Sequence, residues 1–170
     1  TILPTSPLNQ FSCFAVTAPG LEQIAAEELK PQGVRATVET GGVSWTGDME
    51  SIARANLWMR TASRVIVRVA EFRARTFFEL ERHARKIAWE RVLQPGQPVS
   101  MRVTCKKSKL YHTDAVAERL AASIERRLGA ESRLAASEGS VDDEPEREMP
   151  AEQLFVVRMF KDVCTVSADT

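Results

Sequence analysis

The chain has 170 residues, 44% of them hydrophobic and 27% charged, with 23 basic and 23 acidic side chains that cancel to a formal net charge of zero. That length allows one generous domain or two small ones sharing an interface, and the charged fraction is ordinary for a soluble globular protein. No apolar run approaches the roughly 20 residues a membrane helix needs, and the opening TILPTSPLNQ lacks the basic start and apolar stretch of a signal peptide, so a cytoplasmic protein with no membrane partner is expected.

Two prolines and little periodicity make residues 1–10 an extended lead-in. FSCFAVTA (11–18) reads as a buried strand, broken by Pro19 and Gly20. The following LEQIAAEELK places Leu21, Ile24, Ala25 and Leu29 on one helical face and is stopped by Pro31 and Gly33. VRATVET (34–40), a turn at Gly41-Gly42 and VSWTG (43–47) read as a hairpin. Asp48 is the expected N-cap of a helix to about Met59, with Met49, Ile52 and Ala53 inward. SRVIVRVAEF (63–72) is a strand with Val65, Val67 and Val69 on one face. The order strand-helix-strand-strand-helix-strand is the ferredoxin-like pattern, an antiparallel sheet with two helices on one face.

A second set of elements follows. Thr76 and Glu79 have capping-box spacing, and Phe77, Leu80, Ala84, Ile87 and Ala88 form the apolar stripe of the helix they open, with Arg82, Arg85 and Lys86 opposite. VSMRVTC (99–105) is a strand, KKSKLYH (106–112) a basic loop, and residues 113–128 a helix with Val116, Leu120, Ile124 and Leu128 in register, closed by Gly129. Residues 131–151 are acidic and carry Pro145 and Pro150, the composition of a mobile loop. EQLFVVRMF (152–160) and VCTVSA (163–168) make a closing hairpin turned at Lys161-Asp162.

Motifs for catalysis are missing. No GxGxxG, GxxxxGK[ST] or GxSxG occurs. His83 reads as a surface residue, and His112 with Asp114 and Ser108 is too local for a triad, whose members come from separate elements. Asp142-Asp143-Glu144-Pro145-Glu146 lacks the spacing of a calcium loop. Cys13, Cys105 and Cys164 are odd in number and widely spaced, as buried reduced thiols would be. No catalytic or metal site is therefore expected in this chain.

The neutral total hides a polarised distribution. Between Arg60 and His112 stand 13 Lys/Arg against 4 Asp/Glu, and between Glu131 and Glu152 stand 2 basic against 8 acidic residues. Partners respond to such local potential rather than to the sum. The segment Lys106-Lys107-Ser108-Lys109-Leu110-Tyr111-His112 leads from a strand end to a helix start. It combines point charges, hydroxyl donors and an aromatic surface beside the partial positive charge of a helix N-terminus. Phosphates and unpaired bases suit such a surface; a solvated loop is the plain alternative.

Several motifs, in order, resemble those of the THUMP-domain RNA methyltransferases. GLEQIAAEELKPQGV and VETGGVSWTGD resemble that family's opening helix and hairpin, and ANLWMRTASRVIVRVAEF its ASR strand entry, with Arg60, Ala62, Ser63 and Arg64 in matching positions. The Phe77–Trp89 stretch, VSMRVTCKKSKLYHTDAVAERLAASI and FVVRMFKDVCTVSADT resemble the helix, the strand, basic loop and helix, and the last hairpin of a THUMP domain. The resemblance implies an α+β chain: a ferredoxin-like domain over 11–72, then a THUMP RNA-binding domain over 73–170 with the acidic loop at 131–151. It implies a role in capturing RNA, ribosomal RNA in preference to transfer RNA, for a C-terminal methyltransferase domain that uses S-adenosylmethionine. Lys106, Lys107, Lys109 and His112 become RNA-contact candidates, with Arg73, Arg75 and Arg102 as secondary ones. A transfer-RNA-directed module and a ferredoxin-like protein-interaction domain are the alternatives. The chain lacks the glycine-rich cofactor loop and the Asn/Asp-Pro-Pro-aromatic motif of full enzymes, so the cofactor is expected in a domain outside it.

Overall fold

The structure, a computed structural model, describes residues 10–128 and 151–170. The expected lead-in, the Gly129 helix end and the acidic segment lie outside the described residues, apart from Gln10 and Ala151. The chain is of α+β class and divides into two compact units: the described residues up to Arg68 together with Ser167–Thr170, and Val69–Val166.

The N-terminal unit contains β1 (Phe11–Thr17), α1 (Glu22–Leu29), β2 (Thr37–Glu39), β3 (Gly42–Gly47), α2 (Met49–Trp58) and the first part of β4 (Ala62–Arg73). Its strand order is β2-β3-β1-β4, with β1 antiparallel to both β3 and β4. This is the ferredoxin-like arrangement expected from the element order. Strand residues of one parity (Cys13, Ala15, Val43, Trp45, Val65 and Val67) meet Ala25, Ala26, Leu29, Ile52 and Ala55 of the two helices in a single core. The inward helix residues differ in part from the expected ones. Ile24 is half exposed and Met49 and Ala53 point outward, while Ala26 and Ala55 are buried. Alanine faces let short helices approach the sheet closely, and the larger side chains are left at the margin.

The motif residues have structural work to do. The Glu22 carboxylate accepts the Gly20 N–H at 2.8 Å and the Gly41 N–H at 3.2 Å, which ties the start of α1 to the β2–β3 turn. Glu28 accepts from the backbone of Arg60 and Thr61 and from the Thr61 hydroxyl. The Ser63 hydroxyl donates to the Val16 carbonyl. Asp48 caps α2 by accepting the Ser51 N–H at 2.9 Å.

The second unit contains the end of β4, then α3 (Phe77–Ala84), a 3-10 turn at Trp89–Arg91, β5 (Val99–Lys106), α4 (Thr113–Leu128), β6 (Gln153–Phe160) and most of β7 (Val163–Asp169). Its strand order is β4-β7-β6-β5, and β5 runs parallel to β6 with α4 as the crossover between them. Thr76 caps α3 through the Glu79 N–H, and Glu79 in return accepts the Arg75 N–H at 2.7 Å. Trp89 is fully buried, donates its indole N–H to the Ala84 carbonyl at 3.2 Å and meets Phe155 edge-on at 5.5 Å. Val99, Val116, Leu120, Ile124, Val157 and Met159 are also fully or almost fully buried in this unit. His83 is not the surface residue expected: its ring is half-buried and stacked on Phe72 at 5.0 Å. Its position four residues after Glu79 on α3 was legible, but the strand residue beneath it was not. Cys13 and Cys164 are buried thiols pushed up to about 12 by burial, and Cys105 is half-buried. No helix among the described residues is long and apolar enough to cross a membrane.

Candidate nucleic-acid interface

In a parallel strand-helix-strand unit both strands end at the same edge of the sheet, where ligands commonly bind. The loop after β5 and the turn after β6 therefore meet, and Asp162 joins them. Its N–H donates to the Ser108 hydroxyl at 3.1 Å and its carboxylate accepts the Lys109 N–H at 2.8 Å. Its carbonyl accepts the Ala74 N–H at 2.9 Å, and its other carboxylate oxygen lies 3.3 Å from the Arg75 guanidinium nitrogen. The Lys109 N–H first, and then Arg75, hold the Asp162 carboxyl below its ordinary range. The Ser108 hydroxyl donates to the Lys106 carbonyl at 3.1 Å, which also accepts the Lys161 N–H at 3.3 Å.

Lys161 and Asp162 have φ of 50° and 64°, which makes the two-residue hairpin turn of the left-handed type that suits strand twist. Lys107 has φ of 52°. A lysine held there costs strain that the surrounding hydrogen bonds offset. Backbone bonding thus fixes the loop while its ammonium groups stay outside. Lys106, Lys107 and Lys109 are exposed, and neither they nor Lys161 form an ion pair among the described residues. Leu110, 6% exposed, anchors the far side of the loop.

The structure brings Lys106, Lys109 and Arg75 into one bonded assembly, with Lys107 exposed between the two lysines. Arg73 is exposed at the end of β4, one residue before the Ala74 contact to Asp162. His112 is exposed, with its ring 4.1 Å from that of Tyr111, and its carbonyl accepts the Val116 N–H at the start of α4. Arg102 is exposed on β5 on the face of Thr104 and Lys106, about 13 Å before Lys106 at strand spacing. The helix ends at Ala84, so of the expected basic strip only Arg82 lies in α3, with Arg85 and Lys86 just past its end, and the strip is partly neutralised. Glu81 holds Arg119 and, at 3.7 Å, Arg85, while Glu90 holds Arg127 at 2.6 Å. Sequence reasoning did not single out Lys161, Asp162, Arg158 or Phe160. The signal was available: a helix between two strands implies a parallel pair with adjacent ends. Among the described residues no group of three or more His, Cys, Asp and Glu side chains is placed to hold a metal.

The fold is that of two α+β units, the first of them ferredoxin-like, with an exposed basic loop at one strand-end edge of the second. Residues 12–66 match the family described as RlmL ferredoxin-like domain. The chain is 39% identical over 82 residues to the Putative RNA methyltransferase YpsC of Bacillus subtilis, covering 48% of this chain and 21% of that protein. It is 32% identical over 124 residues to the Ribosomal RNA large subunit methyltransferase K/L of Syntrophotalea carbinolica, covering 67% and 17%. Among solved structures, a predicted N6-adenine-specific DNA methylase from Listeria monocytogenes superposes with a TM-score of 0.80 at 32% identity, covering 96% of this chain and 41% of that one. SMU.472, a putative methyltransferase complexed with SAH, superposes with a TM-score of 0.79 at 28% identity, covering 95% and 42%. Residues 12–66 are thus similar to the RlmL ferredoxin-like domain, and the chain is similar over part of their length to proteins named as RNA methyltransferases. It spans about a fifth of the length of these curated relatives and about two fifths of the solved chains.

Proposed function

We propose that this chain captures and positions RNA for an S-adenosylmethionine-dependent methyltransferase domain outside it, with residues 73–170 as the THUMP part. The observation that carries the reading is the Asp162 clamp, which bonds to the Lys109 N–H, the Ser108 hydroxyl and the Arg75 side chain at one strand-end edge and leaves Lys106, Lys107 and Lys109 exposed. Lys106, Lys107 and Lys109 meet phosphates, with Arg75, held by Asp162, and Arg73, Arg102 and His112 at the margins. Such contacts orient RNA without reading its sequence. Large-subunit ribosomal RNA is the favoured substrate, in keeping with the name of the Syntrophotalea relative, and the work takes place in the cytoplasm.

Among the described residues, none of the strand-to-helix connections fits the cofactor. The strands that lead into helices do so through Ala18-Pro19-Gly20, Asp48, Ala74-Arg75-Thr76 or the lysine loop, none of them a glycine-rich cradle for an adenosyl group. Chemistry through S-adenosylmethionine therefore falls to another domain. A second reading, protein interaction, is favoured by one feature of the N-terminal unit: Leu57, Trp58 and Met49 of α2 are 79%, 68% and 65% exposed.

Changing Lys106, Lys107 and Lys109 to Glu separates the two. Three lost phosphate contacts reduce the log–log salt slope for single-stranded RNA by about 2. The folded variant then binds RNA far more weakly than the parent chain. Unchanged binding by a folded variant overturns the assignment.

A further inference from the structure

The sheet of the second unit has two unlike faces. In the β5–β6 register Met101 pairs with Phe155, Val103 with Val157 and Cys105 with Met159, and these three β6 side chains are fully buried. The alternate pairs are Arg102 with Val156, Thr104 with Arg158 and Lys106 with Phe160. Partners in a parallel ladder share a face, so Arg102, Lys106, Arg158 and Phe160 stand on the side away from this core. Both arginines and Lys106 are exposed, and Phe160 is half-buried.

β4 adds to this face. Phe72 turns toward His83 of α3, so its neighbours Glu71 and Arg73 turn the other way. Glu71 lies 3.4 Å from the Thr165 hydroxyl of β7. The Phe160 ring has the Arg158 guanidinium and the Lys161 ammonium each 5.3 Å from its centroid. Both contacts are longer than those of Arg68 on Phe14 (4.4 Å) and Arg119 on Phe77 (4.5 Å). An apolar ring outside the core, loosely flanked by two cations with Lys106 beside it, offers a stacking surface together with phosphate contacts.

From this geometry we infer that Phe160 is a stacking platform for an unpaired RNA base, with Arg158 and Lys161 beside the stacked base and Lys106 and Arg73 at its flanking phosphates. The inference rests on the RNA-capture reading and sharpens it to single-stranded RNA. An A-form duplex hides its base faces and has nothing to place on the ring. Arg73, Arg102, Lys106, Arg158 and Lys161 outnumber the carboxylates of Glu71 and Asp162, an excess that fits a polyanion rather than an apolar peptide.

The test uses the whole chain, a labelled single-stranded oligoribonucleotide carrying 2-aminopurine, and a blunt duplex of the same sequence. Phe160→Leu keeps an apolar side chain but removes the aromatic face; Phe160→Trp keeps it. Losing one stacked base lowers single-strand affinity roughly 5- to 150-fold. Phe160→Leu is expected to show that loss and to leave 2-aminopurine fluorescence unquenched, with duplex affinity and salt slope unchanged. Phe160→Trp is expected to bind as the parent does. Thermal unfolding confirms that each variant is folded. If Phe160→Leu binds single strands normally while Lys107→Glu weakens them, the platform is overturned and RNA capture stands. If the parent chain binds neither RNA, both fall.

Discussion

Asp162 is the residue at which charge and geometry can be pulled apart. Asp162→Asn keeps an oxygen for the Lys109 N–H, now 2.8 Å away, and suits the left-handed backbone there, since asparagine tolerates that region. It removes the charge facing Arg75, whose side chain is 51% exposed and becomes free for a phosphate. One added contact steepens the log–log salt slope for single-stranded RNA by about 0.7. A fourfold rise in salt, from roughly 50 to 200 mM, then shrinks the variant's advantage over the parent chain by about 2.6-fold. Asp162→Ala frees Arg75 as well, but it also deletes the Lys109 anchor and places a β-carbon without a polar partner at φ 64°. That variant binds more weakly than Asp162→Asn at every salt concentration. Fluorescence anisotropy with a labelled oligoribonucleotide over a salt series measures both. Equal, tightened binding by the two variants would refute the view that a fixed loop matters. Weakened binding by a folded Asp162→Asn would refute the electrostatic part.

Two predictions concern the folded units. Burial, aided by Arg82 and Lys86, lowers the His83 pKa, so the neutral form is favoured in the folded chain. The unfolded chain therefore takes up this proton first as pH falls, and the thermal midpoint of the second unit drops from about pH 7 downward until the folded pKa is passed. His83→Phe keeps a ring on Phe72 and flattens that dependence; a parallel drop in the variant excludes His83 as its cause. Gly42→Ala puts a β-carbon against the Ala15 carbonyl and 2.8 Å from the Phe14 ring. Overpacking there costs about 1–3 kcal/mol or more, read as a lowered midpoint for the N-terminal unit by chemical denaturation, and an unchanged midpoint contradicts the register described.

Much of this was legible before any coordinates, for reasons that can be named. Asp48 and Thr76 announced helix starts because their side-chain oxygens satisfy free N–H groups, and Asp162 sat in a two-residue turn between alternating runs. The lysine loop was legible as charge density. What it bonds to was not, because the Lys109–Asp162 contact spans 53 positions and depends on β5 and β6 lying side by side. The same is true of Phe160, which looked like one more apolar residue of a closing strand. Only the register with Lys106 shows that it faces away from the core. Inward helix positions such as Met49 were misread because a 3.6-residue period leaves neighbouring faces of a short helix nearly equivalent, and packing chooses between them.

Ultraviolet crosslinking of single-stranded RNA to the whole chain, mapped residue by residue, addresses the central claim most directly. The account predicts crosslinks concentrated at residues 106–112 and 158–162. Crosslinks confined to Leu57 and Trp58 on α2, or to Arg82, Arg85 and Lys86 at the end of α3, would contradict it.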